Sequence, residues 1–193
     1  MKVAIIKYNA GNVQSVIYAL QRLGLDPLLT DDAGYIQSAD KVIFPGQGEA
    51  SSAIRYLKSK NLDQLIIHLK QPVLGICIGL QLLCSHSEEG DTPCLGIFKE
   101  QVKKFPPEDK VPHIGWNTLD YQKGRLLQGL REDAYLYYVH SYYAEVGPET
   151  VGQCSYILPF SAVMEKDNFF AIQAHPEKSG KDGEQILKNF LAI

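Results

Sequence analysis

Cys77 is flanked two residues away on each side by glycine, in the run Gly75-Ile76-Cys77-Ile78-Gly79. That spacing suits a nucleophile standing on a sharp strand-to-helix turn, where Cβ atoms beside the nucleophile would leave no room. Far along the chain, Ala174-His175-Pro176-Glu177 supplies two further reactive groups. A cysteine nucleophile needs a base to form the thiolate and to protonate the leaving group, and the base needs a third group to hold its ring. His175 is a candidate for the base. Glu177 is a candidate for the orienting carboxylate, with Pro176 stiffening the backbone between them. A cysteine in an apolar run is commonly a small hydrophobe, and an isolated histidine is commonly a packing residue. The joint occurrence of the three groups carries the reading: covalent catalysis at a carbonyl.

The elements that must position these groups are legible around them. Residues 73–76 form a short apolar run that reads as a buried strand, followed at Gly79 by a helical apolar pattern whose N-terminal amides face the sulfur and favour thiolate. Residues 3–6, 27–30 and 41–44 read as further strands. Helical spacing links them: Val13, Val16, Ile17, Leu20 and Leu23 ending at Gly24, then Ile54, Leu57, Leu62, Leu65, Ile66 and Leu69. Strands alternating with helices predict an α/β chain with a mostly parallel sheet and helices on both faces. Ligands of such sheets bind at the carboxyl ends of the strands, where the loops Pro45-Gly46-Gln47-Gly48 and 75–79 fall. Beyond a polar loop at 87–91 the pattern shifts to short strands at 102–105, 114–119, 135–139, 142–146, 151–156, 162–165 and 169–173. These are expected to be partly antiparallel and to extend or flank the parallel core. A last helix is expected over 183–192. Residues 1–193 read as one domain, without repeat or linker.

Composition narrows the function classes. The chain has 193 residues, 45% hydrophobic and 21% charged, with net charge −3, which is ordinary for a globular enzyme and lacks the basic stripe of a nucleic-acid binder. No apolar run approaches membrane-spanning length and the N-terminus lacks a signal peptide, so no membrane association and a cytoplasmic location are expected. Cys84, Cys94 and Cys154 show no CxxC pair and no metal-ligand spacing with Cys77; they read as reduced structural thiols, and neither metal nor other cofactor is called for.

Gly75-Ile76-Cys77-Ile78-Gly79-Leu80-Gln81 together with Gln173-Ala174-His175-Pro176-Glu177-Lys178-Ser179 resembles the class I (triad) glutamine amidotransferases. Pro45-Gly46-Gln47-Gly48 and Val139-His140-Ser141-Tyr142 match that family's glutamine-binding loops. The resemblance runs from Lys2 to the C-terminal helix. It implies a flavodoxin-like open sheet extended by antiparallel strands, and hydrolysis of L-glutamine to glutamate and ammonia through a thioester on Cys77. It further implies an oxyanion hole from the backbone N–H groups of Ile78 and Gln47, and glutamine binding by Gly46, Gly48, Gln81, His140, Ser141 and Tyr142, with His140 acting through its main chain. Residues 9–12, the block Pro112-His113-Ile114-Gly115-Trp116-Asn117 and the run His175-Pro176-Glu177-Lys178-Ser179 look like the family members that serve a separate cyclase of histidine biosynthesis. Such a partner, a (β/α)₈ barrel in a heterodimer, would receive the ammonia, because too few residues follow His175 for a second catalytic domain. Asn12, Trp116, Tyr137 and Lys178 are the implied contacts, core packing being the other reading of Trp116 and Tyr137. Two positions depart from the family pattern: Lys7, where an acidic residue is usual, and Ala174, where a large aromatic is common. Other readings of the same elbow are a DJ-1-like cysteine hydrolase, which would need neither the His-Pro-Glu run nor the 45–48 loop, and the amidotransferases of anthranilate, aminodeoxychorismate and carbamoyl phosphate synthesis, against which the Gly-Trp-Asn block argues.

Overall fold

A computed structural model describes residues 1–8, 13–46 and 48–193. The first half alternates strand and helix: β1 (Val3–Ile6), α1 (Gln14–Arg22), β2 (Leu28–Thr30), α2 (Ala33–Ser38), β3 (Lys41–Phe44), α3 (Ala50–Ser59), α4 (Leu62–Ile67), β4 (Val73–Ile76) and α5 (Ile78–Leu83). The second half is strand-rich: β5 (His86–Ser87), β6 (Thr92–Pro93), β7 (Gln101–Lys104), β8 (His113–Asn117), β9 (Tyr121–Gln122), β10 (Leu136–His140), β11 (Tyr142–Ala144), β12 (Thr150–Ser155), β13 (Pro159–Lys166) and β14 (Phe169–Ile172). A 3₁₀ turn (Pro176–Lys178) and helix α6 (Gly180–Ala192) follow.

The main sheet has eight strands in the order β2-β1-β3-β4-β14-β13-β12-β9. The five strands from β2 to β14 pair in parallel, and β13, β12 and β9 add antiparallel pairings at one edge. Successive residues of a strand face opposite sides, so Val3 and Ile5 of β1 join one core with α1 and α6, while Ala4 and Ile6 join the other with α2 to α5. Burial on both faces explains why β1, β3, β4 and β14 are continuously apolar rather than alternating. Two smaller units flank the sheet: the four-stranded β11-β7-β5-β6 and the antiparallel ribbon β10–β8. No helix among the described residues is long and apolar enough to cross a membrane.

The expectations differ from the fold in places with local causes. Helix α2 gives no apolar period, since it has only six residues; it forms because the Asp32 carboxylate accepts the Tyr35 N–H at 2.6 Å as an N-cap. The final helix begins at Gly180 rather than 183, its first turn resting on the 3₁₀ turn that holds Glu177. Helix α5 begins at Ile78, one residue before Gly79, and has six residues.

Candidate active site

Parallel register brings the three groups together. Strands β3, β4 and β14 are neighbours, with Phe44 opposite Gly75 and Ile76 opposite Ile172. The residues just past their carboxyl ends therefore share one rim of the sheet: the loop after Phe44, Cys77 after Ile76, and the segment through His175 after Ile172. The ladder continues one bond further, the Cys77 N–H donating to Ile172 O at 2.7 Å.

Cys77 sits at φ 50° and ψ −108°, a conformation unusual for a residue with a Cβ, held here by its surroundings. The packing is close enough to demand glycine beside it. A Cβ on Gly46 would lie 2.0 Å from Ile76 O and 2.7 Å from Cys77 Cβ, and one on Gly79 would lie 2.1 Å from Phe44 O. The loop after β3 thus rests directly on the elbow. Its first residue is also anchored by Tyr8, whose buried hydroxyl donates to Pro45 O. Ile78 N–H opens helix α5, where helical amides have no partner four residues back, so it can serve an oxyanion. Gln47, the other expected donor, lies outside the described residues, as does Asn12.

His175 is fixed through both backbone and ring. Its N–H donates to Tyr137 O at 2.8 Å, and its carbonyl accepts from Ser179 Oγ at 2.7 Å. The ring and the Glu177 carboxylate are each 2% exposed, with Nδ1 and Oε1 2.7 Å apart. A carboxylate accepts, so Nδ1 carries the proton and Nε2 is left for the sulfur. Burial pulls the His175 pKa down, but hydrogen bonds to Cys77 and Glu177, and their charges, push it up to about 10. Placed between sulfur and carboxylate, the ring is favoured in its imidazolium form.

A cavity of about 500 Å³ opens over this triad. Gly46, Gly48, Gln81, His140, Ser141 and Tyr142, the residues expected to bind glutamine, line it. Tyr137 and Lys178, expected at a partner interface, line it too, whereas Trp116 stands outside it, 52% exposed. His140 is buried among aromatic rings. Its Nδ1–H donates to Tyr142 O at 2.8 Å, which leaves Nε2 to accept from His113 Nδ1–H at 3.1 Å. Burial holds the two imidazoles down, to about 3 and about 4, so they stay neutral and structural. The side chain of Gln81 is similarly committed: its Nε2 donates to Tyr142 O at 2.9 Å and to Gln173 Oε1 at 3.0 Å. Only its carbonyl oxygen remains, an acceptor suited to an ammonium.

Three participants were not singled out from the sequence. Glu89 is the acidic side chain among the lining residues, its carboxylate accepting the Ala50 N–H at 2.8 Å; burial raises its pKa against that bond. Tyr8 lies in the loop after β1, and Gln173 directly follows β14. Glu89 sits in a polar loop that reads as solvated, and no spacing rule links it to Cys77.

The family model described as glutamine amidotransferase class I matches residues 5–193. The chain is 56% identical to imidazole glycerol phosphate synthase subunit HisH of Bacteroides thetaiotaomicron and 46% identical to the subunit of that name from Pectobacterium atrosepticum, each alignment covering all of both chains. A crystal structure of a glutamine amidotransferase superposes with a TM-score of 0.76 at 16% identity, covering all of this chain and 98% of that one; this likeness speaks to the fold.

Proposed function

The chain belongs to the class I glutamine amidotransferases, and on that premise we propose that it is the glutaminase subunit of an imidazole glycerol phosphate synthase, working beside a cyclase subunit in histidine biosynthesis. It is a glutamine amidotransferase whose 193 residues we read as one domain, at home in the cytoplasm. The observation that carries the reading is the buried Cys77–His175–Glu177 constellation at the floor of the cavity.

In this mechanism L-glutamine lies with its α-ammonium toward the Glu89 carboxylate and the free oxygen of Gln81, and its side-chain amide over Cys77. The thiolate attacks the amide carbon, and the negative charge passes to the amide oxygen, which Ile78 N–H and the Gln47 peptide stabilise. His175 gives its Nε2 proton to the departing nitrogen, so that ammonia leaves and a γ-glutamyl thioester remains. The ring, now neutral, takes a proton from water as the hydroxide adds to the thioester. Collapse of that intermediate returns the thiolate and glutamate. Free ammonia would be protonated in bulk water, so it must pass directly to the acceptor site of the partner, a (β/α)₈-barrel cyclase that forms imidazole glycerol phosphate and an aminoimidazole carboxamide ribonucleotide.

The test is glutamate release from L-glutamine, by the chain alone and with a purified cyclase barrel carrying its nucleotide ligand, with Cys77→Ala as the blank. Release that rises strongly with the loaded barrel supports both chemistry and partner. Release without stimulation keeps the glutaminase and removes the partner. Full release by Cys77→Ala overturns the nucleophile.

A further inference from the structure

Gln173 is fully buried, and its side chain reaches the sulfur of Cys77. Its Nε2 lies 3.5 Å from Sγ, and its Oε1 accepts from Gln81 Nε2 at 3.0 Å. The orientation of this amide follows from its neighbours. Tyr142 O can only accept, so the Gln81 group facing it must be the NH₂. That same NH₂ faces Gln173, whose group there must therefore be the oxygen. The NH₂ of Gln173 is left for the sulfur. Tyr142 O is saturated by its second donor, His140 Nδ1–H at 2.8 Å, so Gln81 has no reason to flip.

We propose that Gln173 is a further catalytic residue of the glutaminase, donating a hydrogen bond to Cys77 Sγ that stabilises the sulfur as thiolate, with Gln81 positioning it. A donor on sulfur favours the charged form over the thioether-like sulfur of the acyl enzyme. It therefore acts at two points: it raises the fraction of Cys77 present as thiolate before attack, and it stabilises that thiolate when the second tetrahedral intermediate expels it. The bond to sulfur is broken and made in each half-reaction while the Gln173 proton stays on nitrogen, so nothing else need be supplied. The turnover part of this inference rests on the glutaminase reading, whereas the state of the sulfur can be read without any substrate.

The first variant is Gln173→Met, which keeps the volume and removes the donor. Glutaminase kcat is expected to fall about tenfold with KM little changed, the effect of one hydrogen bond to a charged group. Alkylation of Cys77 by iodoacetamide, followed by mass spectrometry of the peptide that carries it, provides the second readout. Cys84, Cys94 and Cys154 compete weakly because burial pushes their thiols up, to about 12 for the latter two. In Gln173→Met, alkylation is expected to slow at neutral pH and to quicken in strongly alkaline buffer, since a thiolate freed of its donor is the stronger nucleophile. A packing defect does not produce that crossing. Gln173→Glu keeps the acceptor for Gln81, and its protonated carboxyl can still donate to sulfur, so it should regain turnover relative to Gln173→Met as pH is lowered. Unchanged kcat in Gln173→Met, or equal losses in the two variants with no crossing in alkylation, overturns the proposal. A parent chain without glutaminase activity but with the crossing keeps the contact to sulfur and sinks only the reaction assigned to it.

Discussion

At His175 two opposing effects meet: enclosure disfavours a charged ring, while hydrogen bonds to the Cys77 sulfur and the Glu177 carboxylate favour it and win. The folded-state value of about 10 lies above the ordinary imidazole value of about 6.5. The charged ring therefore contributes stability that is whole below the unfolded value and is lost as pH rises through about 10. In the proposed mechanism the same proton is the one delivered to departing ammonia. Glutaminase activity should accordingly persist through neutral pH and fall as His175 deprotonates. Glu177→Gln removes one cause of the upward shift, so its alkaline decline should begin at lower pH, and its melting temperature at neutral pH should drop. His175→Ala removes the acid itself and should lower kcat by about 10²–10⁴-fold, more than Glu177→Gln does. A pH profile of kcat/KM for the parent and Glu177→Gln checks both statements, and coincident alkaline limbs would contradict them.

At the scale of elements, the site is a product of parallel register. Cys77 and His175 are 98 positions apart in sequence, yet β4 and β14 pair so that the residues after each meet. The elbow was legible from Gly75, Cys77 and Gly79 because close approach leaves a glycine signature, and the continuously apolar strands were legible because they are buried on both faces. The pairing of β14 beside β4 was not written in any local pattern, since it places a strand from the end of the chain next to one from its middle. Glu89 stayed hidden for the same reason: it comes from the loop between β5 and β6 and reaches the cavity only through tertiary packing. Gln173 was visible as a letter beside the His-Pro-Glu run but not as a donor, because its orientation depends on Gln81 and Tyr142. Glycine at 46 permits a direct test of how the elements are fitted. Gly46→Ala would press a methyl group against Ile76 O and Cys77 Cβ, at 2.0 and 2.7 Å, so loop and elbow must part. We expect a destabilisation of about 1–3 kcal/mol and a loss of turnover larger than the change in melting temperature would suggest. Gly34→Ala in α2, whose nearest contact would be 3.4 Å from Asp32 Oδ1, should leave turnover unchanged. Thermal melts with glutaminase assays on the two variants decide the matter.

For the molecule as a whole, one ribbon joins the chemistry to the surface. In β8 and β10 the antiparallel register sets Trp116 opposite Tyr137 and Ile114 opposite Val139. Alternation puts these four on the outward face, while His113, Tyr138 and His140 turn into the core. Tyr137 and Val139 line the cavity, and Ile114, Trp116 and the neighbouring Tyr135 are more than half exposed. The exposed aromatic face is thus continuous with the cavity mouth, and Lys178 adds a cation at its rim. Scattered apolar residues on a surface need no explanation, but under the proposed function, in which ammonia passes directly to a partner, an aromatic cluster adjoining the cavity mouth is where we propose that the partner seals it. Trp116 makes an edge contact with Tyr137, ring centroids 5.8 Å apart, and is 52% exposed outside the residues that line the cavity, so its removal should spare the fold and the basal glutaminase. Trp116→Ala should weaken binding of the cyclase barrel by about 30-fold or more, the loss of an aromatic anchor of about 2 kcal/mol, and stimulation by the barrel should then require proportionally higher barrel concentration while reaching the same plateau. Calorimetric titration of the barrel into the parent and the variant measures the first, and glutamate release across a barrel concentration series measures the second. Unchanged affinity in Trp116→Ala would move the docking face elsewhere on the molecule and leave the triad where it is.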